Sequence, residues 1–175
     1  MEIKIIDAEH SADINIPNEP FSLFGKMVPT YQDEAWGYTV RHFAEADITE
    51  MCFPDENYNY DQMKNDCVFI GAYEGGKCVA LAILQKAIFK YMYLYDLKVS
   101  KEYRRKGIAS ELIEKAKEVC KANNYSGIYT VGQDNNLAAC LFYVNMGFCI
   151  GGFDTNIYKG TNQEGKADII FYLDC

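Results

Sequence analysis

The stretch VSKEYRRKGIASELI, Val99 to Ile113, marks the point where a strand-like run gives way to a helix-like one. The run before it, YMYLYDLKV, is rich in tyrosine and branched apolar residues, which favours a strand. After Gly107, apolar residues recur every fourth position, beginning with Ile108 and Leu112, which predicts an amphipathic helix with one buried face. The stretch therefore predicts a strand, a short polar turn and a full-length helix.

The rest of the chain predicts further strands and a second long helix. Gly75-Gly76 joins the apolar runs of CVFIGAYEGGKCVALAIL and can adopt the positive φ angles of a tight hairpin. FSLFGKMVPTY and WGYTVRHF favour two extended segments, and residues 44–66 a turn with a short helix. NNLAACLFYVNM predicts a helix that Asn136 caps and Gly147 ends, before the strands FCIGGF and ADIIFYL. This order indicates one α/β domain, residues 1–175, with a mainly antiparallel start and a β-α-β-α-β finish.

Composition excludes several classes of protein. The 175 residues are 49% apolar, which argues against disorder, and no run approaches the roughly 18 apolar residues of a membrane span. The first ten residues lack the apolar core of a signal peptide. The seven cysteines form no Cys-x-x-Cys pair and there are only two histidines, so we expect no metal site and a reduced, cytoplasmic protein. The sequence contains no stripe of basic residues with interleaved aromatics, so we expect no nucleic-acid partner.

Charge is distributed unevenly along the chain. Residues 1–75 carry fifteen acids against four bases, a net −11, whereas residues 76–175 carry a net +3. This asymmetry suggests two ligands of opposite sign, with residues 1–75 on the side of a cationic one. Solubility alone is the other explanation.

The segment RRKGIA, Arg104 to Ala109, has the features of an anion site. The first N–H groups of a helix have no partner within the helix and carry the positive end of its dipole. Gly107 would let the backbone approach a phosphate, and three adjacent cations add full charges. A diphosphate is the ligand that this arrangement favours. The alternative is that the cations only decorate an exposed turn.

Two motifs in this order resemble the GNAT N-acetyltransferase superfamily. VSKEYRRKGIASELI is similar to its first signature, and the pattern Asn136, Ala139, Tyr143, Gly147-Phe148 to its second. The resemblance implies a GNAT fold: a central mixed, mostly antiparallel twisted sheet flanked by helices, with a β-α-β-α-β half, residues 91–153, that binds acetyl-CoA. No metal is implied.

The resemblance also implies which residues contact acetyl-CoA. Backbone groups of the strand before the loop would hold the pantetheine arm, and the loop with the helix start would hold the pyrophosphate. The expected set is Leu97, Lys98, Val99, Arg104, Arg105, Lys106, Gly107, Ile108, Ala109, Ser110 and Asn136. For Asn136, a purely structural role as helix cap is the alternative.

The N-terminal half resembles one branch of the superfamily, the streptothricin acetyltransferases. IPNEPFSLFGKMVPTYQDEAWGYT is similar to their entry segment, and QDNNLAACLFY and DTNIY also match. The chain departs from their pattern at two places. Tyr95 precedes Asp96 where those proteins tend to have Glu-Asp, and Val131 begins VGQD where they tend to read Glu-Thr-Gln-Asp. Both missing carboxylates could have contacted a cationic substrate.

Two residues are candidates for acid–base catalysis. An alkylamine with a pKa near 10.4 must lose a proton before it attacks a thioester. Asp96 could accept that proton, with a strand-end carboxylate bonded to nearby N–H groups as the alternative. Tyr143 matches the tyrosine that family members use to protonate the departing thiolate, with a core-packing aromatic as the alternative.

The expected substrate is a small cationic amine, with a streptothricin-like antibiotic favoured. Acids and aromatics suit such a molecule through ion pairs and cation–π contacts, and five residues of the entry segment supply them: Glu19, Asp33, Glu34, Trp36 and Tyr38. The alternatives are a protein N-terminus or lysine, a polyamine, or a GNAT module that binds acyl-CoA without catalysis. We expect no membrane partner, and both monomer and homodimer stay open.

Overall fold

A computed structural model describes all residues, 1–175. It contains eleven strands: β1 Glu2–Ile5, β2 Phe21–Leu23, β3 Gly25–Gln32, β4 Ala35–His42, β5 Thr49–Met51, β6 Cys67–Glu74, β7 Lys77–Gln85, β8 Tyr91–Val99, β9 Gly127–Gln133, β10 Cys149–Asp154 and β11 Asp168–Asp174. Three α-helices accompany them: α1 Tyr60–Met63, α2 Ile108–Ala122 and α3 Leu137–Asn145. Short 3₁₀ turns cover Ser11–Asn15, Glu45–Asp47 and Lys101–Tyr103. None of the helices is long and apolar enough to cross a membrane.

The first of two compact units comprises Met1–Glu19, Cys52–Ile128 and Cys175. Its strands are antiparallel in the order β1-β6-β7-β8. The predicted hairpin turn is present, with φ of 57° at Gly75 and 80° at Gly76. Helix α2 contacts all four strands and buries the apolar face that its sequence spacing predicts.

The second unit comprises Pro20–Met51 and Tyr129–Asp174. Its strands β10 and β11 pair antiparallel, and so do β3 and β4. Asp33 and Glu34 form the turn between β3 and β4 with φ of 49° and 60°, the left-handed conformation of a two-residue hairpin loop. Asn136 caps α3 as predicted, since its side chain accepts a hydrogen bond from the Ala139 N–H at 3.3 Å. The predicted α/β class with mostly antiparallel strands is confirmed.

The observed elements differ from the predicted ones in the acidic half. The extended segment FSLFGKMVPTY divides at Phe24 into β2 and β3, and β2 pairs with the unpredicted strand β5. The short helix predicted in residues 44–66 is a single turn, α1, capped by the Asn59 side chain. Contacts with distant parts of the chain determine these short elements, so the sequence has no periodic pattern from which they could be predicted.

Candidate active site

The segment RRKGIA lies at the start of α2 with its backbone open to an approaching anion. Arg105 has φ of 61° and Gly107 has φ of 84°, so two residues of the loop are left-handed. Gly107 is the N-cap of α2, and no side chain caps the helix there. A Cβ at Gly107 would meet nothing within 4 Å. The open space beside uncapped N–H groups fits a diphosphate.

The Arg104 side chain stabilises this loop through hydrogen bonds to backbone carbonyls and does not extend into solvent. Its Nε donates to the Val99 carbonyl at 3.0 Å and its Nη2 to the Glu19 carbonyl at 3.2 Å. The Glu19 carboxylate in turn accepts a hydrogen bond from the Lys101 N–H at 2.5 Å. Glu19 was predicted to contact the substrate, but its carboxylate is engaged in holding the turn that precedes Arg104.

Arg105 and Lys106 are exposed on the same loop. The Lys106 ammonium lies 5.1 Å from the centre of the Tyr103 ring, a cation–π distance. These two side chains are therefore the cations of the segment that face solvent.

Asp96 follows a β-bulge in strand β8. The pairing with β7 runs Ile83 opposite Asp96 and then Leu84 opposite Leu94, so Tyr95 is the extra residue. A bulge re-aims the side chains that follow it and is common beside active sites. Tyr95 itself is exposed, and its ring packs edge-on against Tyr93 at 5.8 Å.

The Asp96 carboxylate belongs to a hydrogen-bonded charge cluster. Its Oδ2 lies 2.9 Å from the Lys98 Nζ and accepts a hydrogen bond from the Tyr58 hydroxyl at 3.1 Å. The same Lys98 ammonium lies 2.8 Å from Oε2 of Glu56. Only 14% of the Asp96 side chain and 10% of the Lys98 side chain are exposed. We call Glu56, Tyr58, Asp96 and Lys98 the carboxylate cluster.

Burial and charge oppose each other in the carboxylate cluster. Burial raises the pKa of the Asp96 carboxyl, Lys98 and Tyr58 lower it, and Glu56 raises it further. Burial disfavours the charged form of Lys98, but hydrogen bonds to Glu56 and Asp96 outweigh this and raise the pKa of Lys98. Burial together with the charges of Asp96 and Glu56 raises the pKa of Tyr58, which stays a neutral donor. A carboxylate with a raised pKa that stays paired with a cation has the properties of a general base.

Glu56 and Tyr58 were not predicted as site residues. They lie in the segment between β5 and α1, which two asparagines fasten. Asn18 donates to Glu56 Oε1 at 2.9 Å, and Asn15 exchanges hydrogen bonds with the Tyr58 backbone at 2.6 and 2.9 Å. The only signal in the sequence was the density of acids and tyrosines in PDENYNY.

Tyr143 lies in α3 and is 8% exposed. Its ring packs against Phe148 and Phe171, each with ring centres 5.3 Å away. Both the catalytic and the core-packing interpretation of Tyr143 are compatible with this burial.

The predicted substrate residues of the second unit lie on the β3–β4 hairpin. Asp33 and Glu34 are exposed at its turn, and Trp36 and Tyr38 are exposed on β4. The Trp36 ring packs against Tyr31 at 4.9 Å. The hairpin therefore presents two acids and an aromatic pair to solvent.

A second polar network, also not predicted, connects β9 to the segment between β10 and β11. Gln133 donates to the Tyr158 hydroxyl at 2.8 Å, and Tyr158 donates to Asp168 at 2.8 Å. Burial raises the pKa of Tyr158 to about 12 and raises that of Asp168. Nearby, buried Asp134 accepts from the Ala167 N–H and lies 3.4 Å from the Lys26 ammonium, which ties β3 to the end of β9.

A sequence profile described as the Acetyltransferase (GNAT) family matches residues 30–148. The chain belongs to this family, and it is an acetyl-CoA-dependent N-acetyltransferase.

Two proteins with related names are similar over nearly the whole chain. Streptothricin acetyltransferase A of Bacillus subtilis (strain 168) is 31% identical over 160 residues, which cover 91% of this chain and 92% of that protein. A crystal structure of a "putative streptothricin acetyltransferase" from Bacillus anthracis str. Ames, in complex with acetyl coenzyme A, is 27% identical with a TM-score of 0.88 and covers 99% of each chain.

The crystal structure of nourseothricin acetyltransferase superposes with a TM-score of 0.79 at 20% identity, covering 99% of this chain and 98% of that one. At that identity it supports the fold alone. The predicted GNAT fold and the predicted co-substrate acetyl-CoA are thus confirmed.

Proposed function

We propose that this enzyme transfers acetyl from acetyl-CoA to a primary amine of a small cationic molecule of the streptothricin type. The observation that carries the proposal is the carboxylate cluster, in which buried Asp96 is paired with Lys98 directly after the bulge of β8. A sequence identity of 31% to a streptothricin acetyltransferase supports the substrate class. The seven free cysteines agree with a cytoplasmic location, which we include in the proposal.

The residues present fit acetyl-CoA at two positions. The uncapped start of α2, with Gly107 and the cations of Arg105 and Lys106, would hold the diphosphate. Backbone groups of Leu97 and Val99 would hold the pantetheine arm. Acetyl-CoA supplies the acetyl group as a thioester when it is bound.

In the proposed reaction, a new N–C bond forms between the amine and the acetyl carbon, and the C–S bond breaks. Asp96 accepts the proton that the amine must lose, because a paired carboxylate is ionised at neutral pH and an ammonium is not nucleophilic. Tyr143 gives its hydroxyl proton to the departing sulfur, the role implied by the resemblance. Starting from the ammonium, the nitrogen loses two protons. Asp96 takes one before the attack, and the second, lost as the amide forms, replaces the proton that Tyr143 gives to the sulfur.

Acids and aromatics support the choice of a cationic acceptor. Asp33 and Glu34 carry unpaired charge at the hairpin turn, and the Trp36 and Tyr31 rings offer faces to a cation. Tyr95 and Val131 stand where the resembling family carries carboxylates, so the exact amine can differ from that of streptothricin.

Thiol release from acetyl-CoA tests the proposal, measured with streptothricin, aminoglycosides, polyamines and peptides in parallel. We expect streptothricin to be acetylated with a kcat/KM well above that of any peptide. Asp96→Asn should reduce turnover most at pH values above the pKa of Asp96 and below that of the amine, where Asp96 is ionised and unprotonated amine is scarce, and it should leave acetyl-CoA affinity nearly unchanged. A preference for peptides would replace the small-molecule assignment with a protein acetyltransferase, and no thiol release with any amine would overturn catalysis.

A further inference from the structure

We propose that Lys98 is a positioning residue of the acetyl-transfer site: its ammonium, held by Glu56, keeps the Asp96 carboxylate ionised and leaves one oxygen, Oδ1, to accept the proton of the substrate. The inference rests on the proposed function, in which Asp96 is the base. It assigns roles to Lys98 and Glu56 that the resemblance to the family does not supply.

The hydrogen bonds of Asp96 are asymmetric. Both protein donors, the Lys98 ammonium at 2.9 Å and the Tyr58 hydroxyl at 3.1 Å, reach the same oxygen, Oδ2. A carboxylate oxygen has two lone pairs, so these two donors saturate Oδ2. The proton of an acceptor amine can then be taken only by Oδ1. Lys98 and Tyr58 together fix which oxygen acts as the base.

The position of Lys98 is itself fixed from the opposite side. Its Nζ lies 2.8 Å from Glu56 and 5.5 Å from the centre of the Tyr58 ring. Glu56 is held by Asn18, which donates to its other oxygen at 2.9 Å. The ammonium is therefore bound between two carboxylates and cannot swing away without leaving both.

Charge explains why a cation is needed at this position. Two carboxylates and one ammonium give the cluster a net charge of −1, which still attracts a cationic amine. Without Lys98, Asp96 would lie buried beside the like charge of Glu56, and both effects favour protonation. Tyr58 and Tyr95 are the other titratable side chains at the cluster, with their rings edge-on at 5.9 Å, and the raised pKa of Tyr58 keeps its phenol neutral. Lys98 is thus the one cation within the cluster.

The test is the pH dependence of kcat/KM for the acceptor amine at saturating acetyl-CoA. Activity falls as pH drops through the pKa of Asp96, because the protonated form cannot accept a proton. In Lys98→Met we expect this pKa to rise. The acid limb, the part of the profile where kcat/KM falls with decreasing pH, should then move to higher pH by about one unit or more. At a pH below the limb, this corresponds to a roughly tenfold or larger loss of kcat/KM. At high pH, where Asp96 is ionised in both proteins, the ratio of the two activities should approach a constant.

Matched variants separate charge from packing. Lys98→Arg keeps the charge and should keep the limb close to its original pH. The double variant Lys98→Met with Glu56→Gln also removes the carboxylate that repels the charge of Asp96, so its acid limb should move part of the way back toward that of the parent protein. Lys64→Met removes an exposed lysine that pairs with Asp61 at 2.6 Å, and it should leave the limb where it is. If Lys98→Met does not fold, Lys98→Gln takes its place.

A second readout needs no substrate. The ¹³C carboxyl resonance of Asp96, assigned by its loss in Asp96→Asn, should titrate at higher pH in Lys98→Met than in the parent protein. An unmoved resonance and an unmoved limb would show that Lys98 is only structural and would overturn the inference. The Asp96 resonance could instead titrate at higher pH in Lys98→Met while the parent protein acetylates no amine. That result would support the control of Asp96 by Lys98 and overturn the proposed function.

Discussion

At the scale of single residues, removing only the hydroxyl of Tyr143 distinguishes a catalytic role from a packing role. Its ring belongs to an aromatic cluster with Phe148 and Phe171, so the ring must stay while the hydroxyl is removed. We expect Tyr143→Phe to fold normally and to slow turnover by roughly 10²–10⁴-fold, the range of general acid catalysis. Steady-state thiol release measures the effect, and Tyr172→Phe, on the partly exposed side of β11, is the matched control. Normal turnover in Tyr143→Phe would assign this residue to the core.

The adjacent arginines of RRKGIA should differ in what they stabilise. Arg104→Ala leaves the Val99 and Glu19 carbonyls without their guanidinium donor, so it should lower the melting temperature as well as acetyl-CoA affinity. Arg105→Ala removes an exposed cation and should weaken acetyl-CoA binding by about 1–3 kcal/mol at unchanged melting temperature. Calorimetry and thermal unfolding on both variants test the distinction. Equal melting temperatures would show that Arg104 does not brace the loop.

At the scale of elements, the start of α2 makes the sharpest prediction. Gly107→Val should abolish acetyl-CoA binding, because its Cβ would stand in the space from which a phosphate approaches the helix N–H groups. Left-handed φ also strains any L-residue by roughly 1–2 kcal/mol. Gly76→Val is the control, since Gly76 has φ of 80° and the same open surroundings but no helix after it. Unchanged affinity in calorimetry would remove the phosphate role of this loop.

Elements with strong local signals could be predicted, and elements held by distant contacts could not. Gly75 and Gly76 adopt the positive φ angles of the predicted hairpin, and Gly147, predicted to end α3, also has a positive φ. Strand β5 is only three residues long and exists because β2 pairs with it. A strand that short carries no period of its own.

The same limit applies to the candidate site. Asp96 could be found because it lies on a strand next to a recognisable signature. Its partner network could not, because Glu56 and Lys98 are 42 positions apart and meet through a segment without periodicity. The bulge at Tyr95 could not be predicted from the sequence either, although it determines the direction of the Asp96 side chain.

At the scale of the whole molecule, the remaining question is whether the acidity of residues 1–75 serves a ligand. A net charge of −11 in that part of the chain would raise the encounter rate of a polycation and tighten its binding. Salt should then raise the KM of a polyamine-bearing substrate strongly, since the screening length shortens to about 3 Å at 1 M. A monoamine should respond much less, because fewer charges are attracted.

Neutralising the hairpin acids tests the same idea without salt. Asp33→Asn with Glu34→Gln should raise the KM of the polyamine as high salt does and leave acetyl-CoA affinity unchanged, because the proposed diphosphate site is built from other residues. The control is Glu114→Gln with Glu118→Gln, which removes two charges from α2, where both acids pair with neighbouring lysines. If both double variants behave alike, and polyamine and monoamine respond equally to salt, the acids act through net charge alone. The acidic half then serves solubility, and a polycationic acceptor is no longer supported.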